Sequence, residues 1–173
     1  TRQLVKDKKF SEVATMIQSA LRNGFVESWM YEALGLAIQA DPKSSPADME
    51  RALMSAVDLA TSEEQVLFIA EFMGRCDLKA RALKLYRQVA KTSPMRFEPY
   101  AQGLTLAQSL GDVPGIQWAC IGLLSKSYLR EESAIGDKAF RVAKVTYESL
   151  LKENRKSEAE AFNNAVKKAM IRD

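Results

Sequence analysis

The chain has 173 residues, with 25 basic against 22 acidic side chains for a net charge of +3, and it is 47% apolar and 27% charged. That balance fits about one globular domain, excludes a disordered polyelectrolyte, and is too nearly neutral to require a polyanionic partner. Histidine is absent, which removes the usual general base, the commonest metal ligand and the side chain that titrates near neutral pH.

Ala, Leu, Lys, Glu and Gln are abundant and β-branched runs are nearly absent, so helices are expected and no sheet. Residues 2 to 8 read as the end of a helix. Phe10 to Asn23 follows, with Phe10, Val13, Ile17, Ala20 and Leu21 on one face and Gly24 as its C-terminal stop. Trp29 to Ala40 carries Tyr31, Leu34, Gly35 and Ile38 on one face, and Asp41-Pro42 ends it. Ser45, Pro46 and Asp48 form a start signal for a helix running to about Leu59, with Met49, Leu53, Ala56 and Val57 inward. Ser62 and Gln65 are spaced as a capping box before the stripe Val66, Ile69, Ala70 and Met73.

Gly74 to Asp77 reads as the next turn, and Asp77 to Pro94 as a helix with Ala82, Tyr86 and Val89 on its packing face. Its Lys79, Lys84, Arg87 and Lys91 are assigned to the outer, solvated side. Pro99 to Leu110 is followed by the turn signal Gly111-Asp112 and by Val113 to about Leu129, with Ile116, Cys120, Leu123 and Leu124 inward. A polar connection from Arg130 to Gly136 leads to Asp137–Glu153, with Phe140, Ala143, Tyr147 and Leu150 as the stripe. Ser157 and Glu160 read as a second capping box for the last helix, which carries Phe162, Ala165, Val166, Ala169 and Met170. The expected total is eight or nine helices, in antiparallel pairs joined by short connections.

One pattern recurs. Val13, Ile17 and Ala20 are matched by Met49, Leu53 and Ala56, then by Ala82, Tyr86 and Val89, then by Ile116, Cys120 and Leu123, at steps of 36, 33 and 34 residues. A unit of that size holds two helices and cannot bury its apolar face alone, so neighbouring units must stack.

The period and these residues resemble the tetratricopeptide repeat family, whose unit is a helix-turn-helix of about 34 residues. Tyr31, Leu34 and Gly35 fit the family's first-helix spacing, with Ile38 at its aromatic place. Ala82, Tyr86 and Pro94 fit the second helix, and Gly111-Asp112 fits the turn between the two. The resemblance covers about residues 5 to 128 and weakens in the last pair. It implies a right-handed all-α solenoid of antiparallel helix pairs in one domain spanning 1–173. The repeats fall at about 1–24, 28–60, 63–94, 97–129 and 134–171. Because the chain opens on Thr1 within what reads as a repeat, it is expected to be a fragment of a larger protein. In this register Gly35 and Ala70 sit where the two helices of a pair cross closely.

The resemblance also implies a binding surface. The first helices of each pair line a concave groove, which here holds Trp29, Glu32, Leu36 and Gln39, then Leu67, Phe68, Glu71 and Arg75, then Gln102, Thr105 and Gln108. A family subset grips the terminal carboxylate of chaperone tails with Lys and Asn side chains. The matching places here hold Glu32, Leu36, Leu67 and Glu71, which speaks against that role. A groove with Phe68 and Leu36 fits a partly apolar peptide or helix.

Catalysis is not expected. Without histidine there is no Ser-His or Cys-His pair, and Gly103, Gly111, Gly115 and Gly122 form no phosphate loop. Glu63-Glu64 and Glu131-Glu132 stand where helix-end electrostatics explain them. Cys76 and Cys120 belong to no C-x-x-C pair; Cys120 reads as a core residue and Cys76 as a turn residue, and no metal or other cofactor is expected. No apolar run approaches the roughly 18 residues of a membrane span, and Arg2, Lys6, Lys8 and Lys9 interrupt any signal peptide. A cytoplasmic location is therefore the expectation.

The expected partner is a protein or peptide segment. The competing reading is a helical-repeat nucleic-acid binder using its ends: residues 1 to 24 carry five basic and two acidic residues, and 137 to 173 carry nine and six. Aromatic residues are not interleaved there for base stacking, so a nucleic-acid partner is the weaker expectation.

Overall fold

The structure is a computed structural model. It describes residues 2–25, 27–126 and 134–171, with the side chains of Arg2, Ser28 and Glu32 outside the description. Among these residues there are ten α-helices and no strand. They are α1 Arg2–Lys6, α2 Phe10–Arg22, α3 Ser28–Ala40, α4 Pro46–Asp58, α5 Glu63–Arg75, α6 Lys79–Thr92, α7 Glu98–Leu110, α8 Val113–Leu124, α9 Ala134–Lys152 and α10 Lys156–Ile171. The total exceeds the eight or nine expected. Arg2–Lys6 is a helix in its own right, ended by Lys8 in the left-handed region (φ 56°).

Local chemistry sets the ends. Gly24, at φ 81°, lets the Phe25 N–H reach the Ala20 carbonyl at 3.0 Å, which closes α2. Gly111, Asp77 and Asn154 take the same left-handed conformation after α7, α5 and α9. At the start of α4, Ser45 Oγ accepts from the Asp48 N–H while Asp48 Oδ2 accepts from the Ser45 N–H at 2.8 Å. The start of α5 departs from its expected box. Ser62 Oγ accepts from the Gln65 N–H, but Gln65 Oε1 takes its own hydrogen bond from the Thr61 N–H at 2.8 Å, one residue earlier. Ser157 lies inside α10 and cannot cap it. Arg155 instead joins Glu158 and Glu153 at 2.8–2.9 Å across that turn.

The chain gathers into two compact units, Thr1–Ala82 and Leu83–Asp173, the division falling within α6. In the first, α3 packs on α2 and α4, and α5 packs on both α3 and α4. The packed faces are the periodic ones: Val13, Ile17 and Leu21, then Tyr31, Leu34 and Ile38, then Met49 and Leu53, then Ile69, Ala70 and Met73, all buried. The close approach at Gly35 is made with α5, not with the partner helix α4 that the register suggested. A Cβ there would lie 1.9 Å from the Phe72 ring.

In the second unit α7 packs on α8, and α8 packs on both α9 and α10. The α7–α8 crossing is reciprocal. The Tyr100 ring of α7 lies against Gly122 of α8, where a Cβ would meet it at 2.0 Å. The Trp118 ring of α8 lies against Gly103 of α7, where a Cβ would meet it at 2.5 Å. The two rings stand 5.1 Å apart at 38°.

Every residue of the four repeated triads is buried except Ala20, which is half-buried. Each large side chain so buried stabilises the fold by about 1.5–3 kcal/mol. An exposed ion pair such as Lys9–Glu12 contributes about 0.2–1 kcal/mol, so the apolar stripes dominate.

Two further expectations are corrected. The buried stripe of α9 is Gly136, Ala139, Ala143, Thr146 and Leu150, while Phe140 is 52% exposed. The helix also begins at Ala134 rather than Asp137, so Gly136 is helical. Arg87, assigned to the solvated outer side, is half-buried. Its guanidinium lies 5.4 Å from the centre of the Trp118 ring and 3.7 Å from Asp112 Oδ2. α8 ends at Leu124, with the Ser125 N–H closing on the Ile121 carbonyl, short of the Leu129 expected, while the expected connection at residues 130 to 133 and Glu131-Glu132 lie outside the described residues.

Candidate interaction faces

The proposed groove residues all occur on α3, α5 and α7. On α3, Trp29 and Leu36 are both 52% exposed, and Gln39 is exposed. Glu32 is part of α3, and its side chain lies outside the described ones. On α5, Leu67 and Phe68 are half-buried while Glu71 and Arg75 face solvent. The Arg75 guanidinium sits 5.3 Å from the centre of the Phe72 ring, a cation–π contact made within its own helix. Because α3 and α5 pack on one another, the two sets belong to adjoining helices of one unit.

On α7, Gln102, Thr105 and Gln108 are exposed at three-residue steps. Thr105 Oγ1 accepts a hydrogen bond from Lys138 Nζ of α9 at 3.1 Å. Lys138 is thus a neighbour of this polar row that the sequence did not suggest, since only the approach of α9 to α7 brings it there.

The aromatic pair of α7 and α8 is flanked by two cations. Arg87 stands by Trp118, and Lys126 Nζ lies 4.4 Å from the centre of the Tyr100 ring while donating to the Gly122 carbonyl. Burial pulls the Lys126 ammonium below its usual pKa. Burial likewise pushes the Cys120 thiol up to about 12. It raises Cys76 too, against the opposing pull of Arg75. Both cysteines are free thiols.

Three cavities open on the two units. One of about 280 Å³ has polar walls including Ser11, Gln18, Ser44, Asp48 and Arg51. Its acid is already held: backbone and side-chain hydrogen bonds from Ser45, then one from Arg51, keep the Asp48 carboxyl at about 2. A second, of about 390 Å³, lies beside Ile38, Pro46, Met49, Cys76 and Leu78. A third, of about 150 Å³, lies between α9 and α10. Among the described residues no three His, Cys, Asp or Glu side chains gather into a metal-binding group. No described helix is long and apolar enough to cross a membrane. Comparison with family models, curated proteins and solved structures gives no match.

Proposed function

We propose that the chain is a non-catalytic interaction or scaffold module, a right-handed α-solenoid of degenerate tetratricopeptide-like repeats in one domain. It binds a protein segment on the concave face formed by its first helices. The observation that carries this reading is the division of labour between paired helices. The repeated triads of α2, α4, α6 and α8 are given to packing, with Ala20 alone only half-buried. The first helices keep Trp29 and Leu36 out in solvent and Phe68 partly so. A large exposed apolar side chain beside charged neighbours is what a partner-binding face requires. The apolar content of α3 and α5, with Glu71 and Arg75 alongside, favours a mixed, partly helical peptide over an acidic tail.

The test compares partners captured by the wild-type chain and by the combined variant Phe68→Ala, Glu71→Lys, Arg75→Ala, with helicity checked by circular dichroism. Loss of the specific partners with helicity intact is the expected result. Identical capture overturns the proposal.

A further inference from the structure

The α9–α10 pair carries a groove that the proposed concave face does not use. Its walls come from those two helices alone, and its apolar lining includes Phe140 and Tyr147 from α9 and Phe162, Val166 and Met170 from α10. Phe140 is 52% exposed, although it is the largest side chain of α9 other than Tyr147. The core side of that helix is built from Gly136, Ala139, Ala143 and Thr146, so Phe140 is not needed to fill the core. The cavity, about 150 Å³, is of the size that takes up a single aromatic or branched side chain.

The rim states the charge of the occupant. Lys144 and Lys167 flank the groove from the two helices, and no carboxylate lines it. Neither lysine has an ion pair among the described residues. Of the acids on these two helices and their turn, Glu153 and Glu158 hold Arg155, while Glu148 and Glu160 are exposed and line no wall of the groove. An apolar slot between two free ammonium groups favours an apolar anchor flanked by carboxylates, and repels a basic segment.

We propose that the α9–α10 groove docks an acidic amphipathic helix of a partner protein. One aromatic or leucine side chain enters between Phe140 and Phe162, and Glu or Asp residues one turn away on either side meet Lys144 and Lys167. The slot suits an inserted side chain better than a lipid surface, which calls for protruding rather than recessed apolar groups.

The experiment uses the full chain and two fluorescein-labelled synthetic helices with one Phe/Leu stripe, flanked in one peptide by Glu and in the other by Lys. Anisotropy titration should show the Glu peptide binding roughly tenfold tighter, as two exposed charge pairs allow. Lys144→Glu with Lys167→Glu should reverse that preference. Phe140→Ala should weaken the Glu peptide with helicity unchanged, and Phe68→Ala should leave it as in the wild type, which separates this site from the face on α3 and α5. The proposal is overturned if neither peptide binds or both bind equally. It is equally overturned if the lysine variants change nothing, or if the chain binds only phosphatidylserine vesicles.

Discussion

A Cβ at Gly35 would stand 1.9 Å from Cε1 of Phe72, a ring that is itself buried. No rotamer change at an added methyl relieves such an overlap, so the helices must separate or the ring must leave its well. Gly35→Ala should therefore cost about 1–3 kcal/mol, as overpacked core sites do, and Gly35→Leu more. The double variant with Phe72→Leu should recover part of the loss, because the two side chains compete for one volume. Denaturant midpoints check this, and an unchanged midpoint in Gly35→Leu would contradict the contact. The small residue was legible in the sequence, but its partner was not. The register pointed to α4, and only the packing of α5 on α3 brings Phe72 there. Asp48 supplies a second test at this scale. Its carboxyl is held at about 2, below the ordinary 3.8, first by the Ser45 backbone bond and then by the Ser45 hydroxyl and Arg51. A depressed pKa means the ionised form stabilises the fold above about 3.8, and the stabilisation fades as pH falls toward about 2. Asp48→Asn should lower the thermal midpoint at neutral pH, and its difference from the wild type should vanish near pH 2. A difference that persists there would contradict the assignment.

Helix ends decide where the elements stop. Lys8, Gly24, Asp77, Gly111 and Asn154 all sit at positive φ, and only two of them are glycine. Nothing lies within 4 Å of a Cβ at Gly24 or Gly111. Gly24→Ala should thus lose about 1 kcal/mol through backbone conformation alone, while Asp77→Gly should gain a similar amount. The same thermal melts measure both, and equal stability in all three chains would contradict the left-handed assignment. Gly24 and Gly111 were readable as stops because Gly tolerates this conformation, but Gly74, read as the start of a turn, lies within α5, which runs on to Arg75. Asp77 and Lys8 were not readable, since neither announces it. Periodicity misled at α9 for a related reason. Phe140, Ala143 and Tyr147 keep helical spacing, yet the face next to theirs holds Gly136, Ala139 and Thr146 and is the one that is buried. A helix apolar on two neighbouring faces does not reveal which one meets the core. Gly103 and Gly122 were equally silent, because each receives a ring from the other helix of the crossing. Arg87 was assigned to solvent by its charge, and its place beside Trp118 depends on where α8 lies.

For the whole molecule, the four triads on α2, α4, α6 and α8 were readable because each is a local pattern repeated near the length of one helix pair. Of the proposed face, Trp29, Leu36, Gln39, Glu71 and Arg75 on α3 and α5 lie in solvent, as do Gln102, Thr105 and Gln108 on α7. Leu67 and Phe68 are half-buried. The identity of a partner leaves no such trace in periodicity. The central claim is that a protein segment binds through the apolar centre of this face, and isothermal titration of a captured partner tests it most directly. Leu36→Ala with Phe68→Ala should weaken binding at least about tenfold, as loss of buried anchors does. The wild-type affinity should change little between low and moderate salt. An affinity indifferent to both substitutions, or one falling about a thousandfold or more over that range as phosphate-backbone binding does, would contradict it.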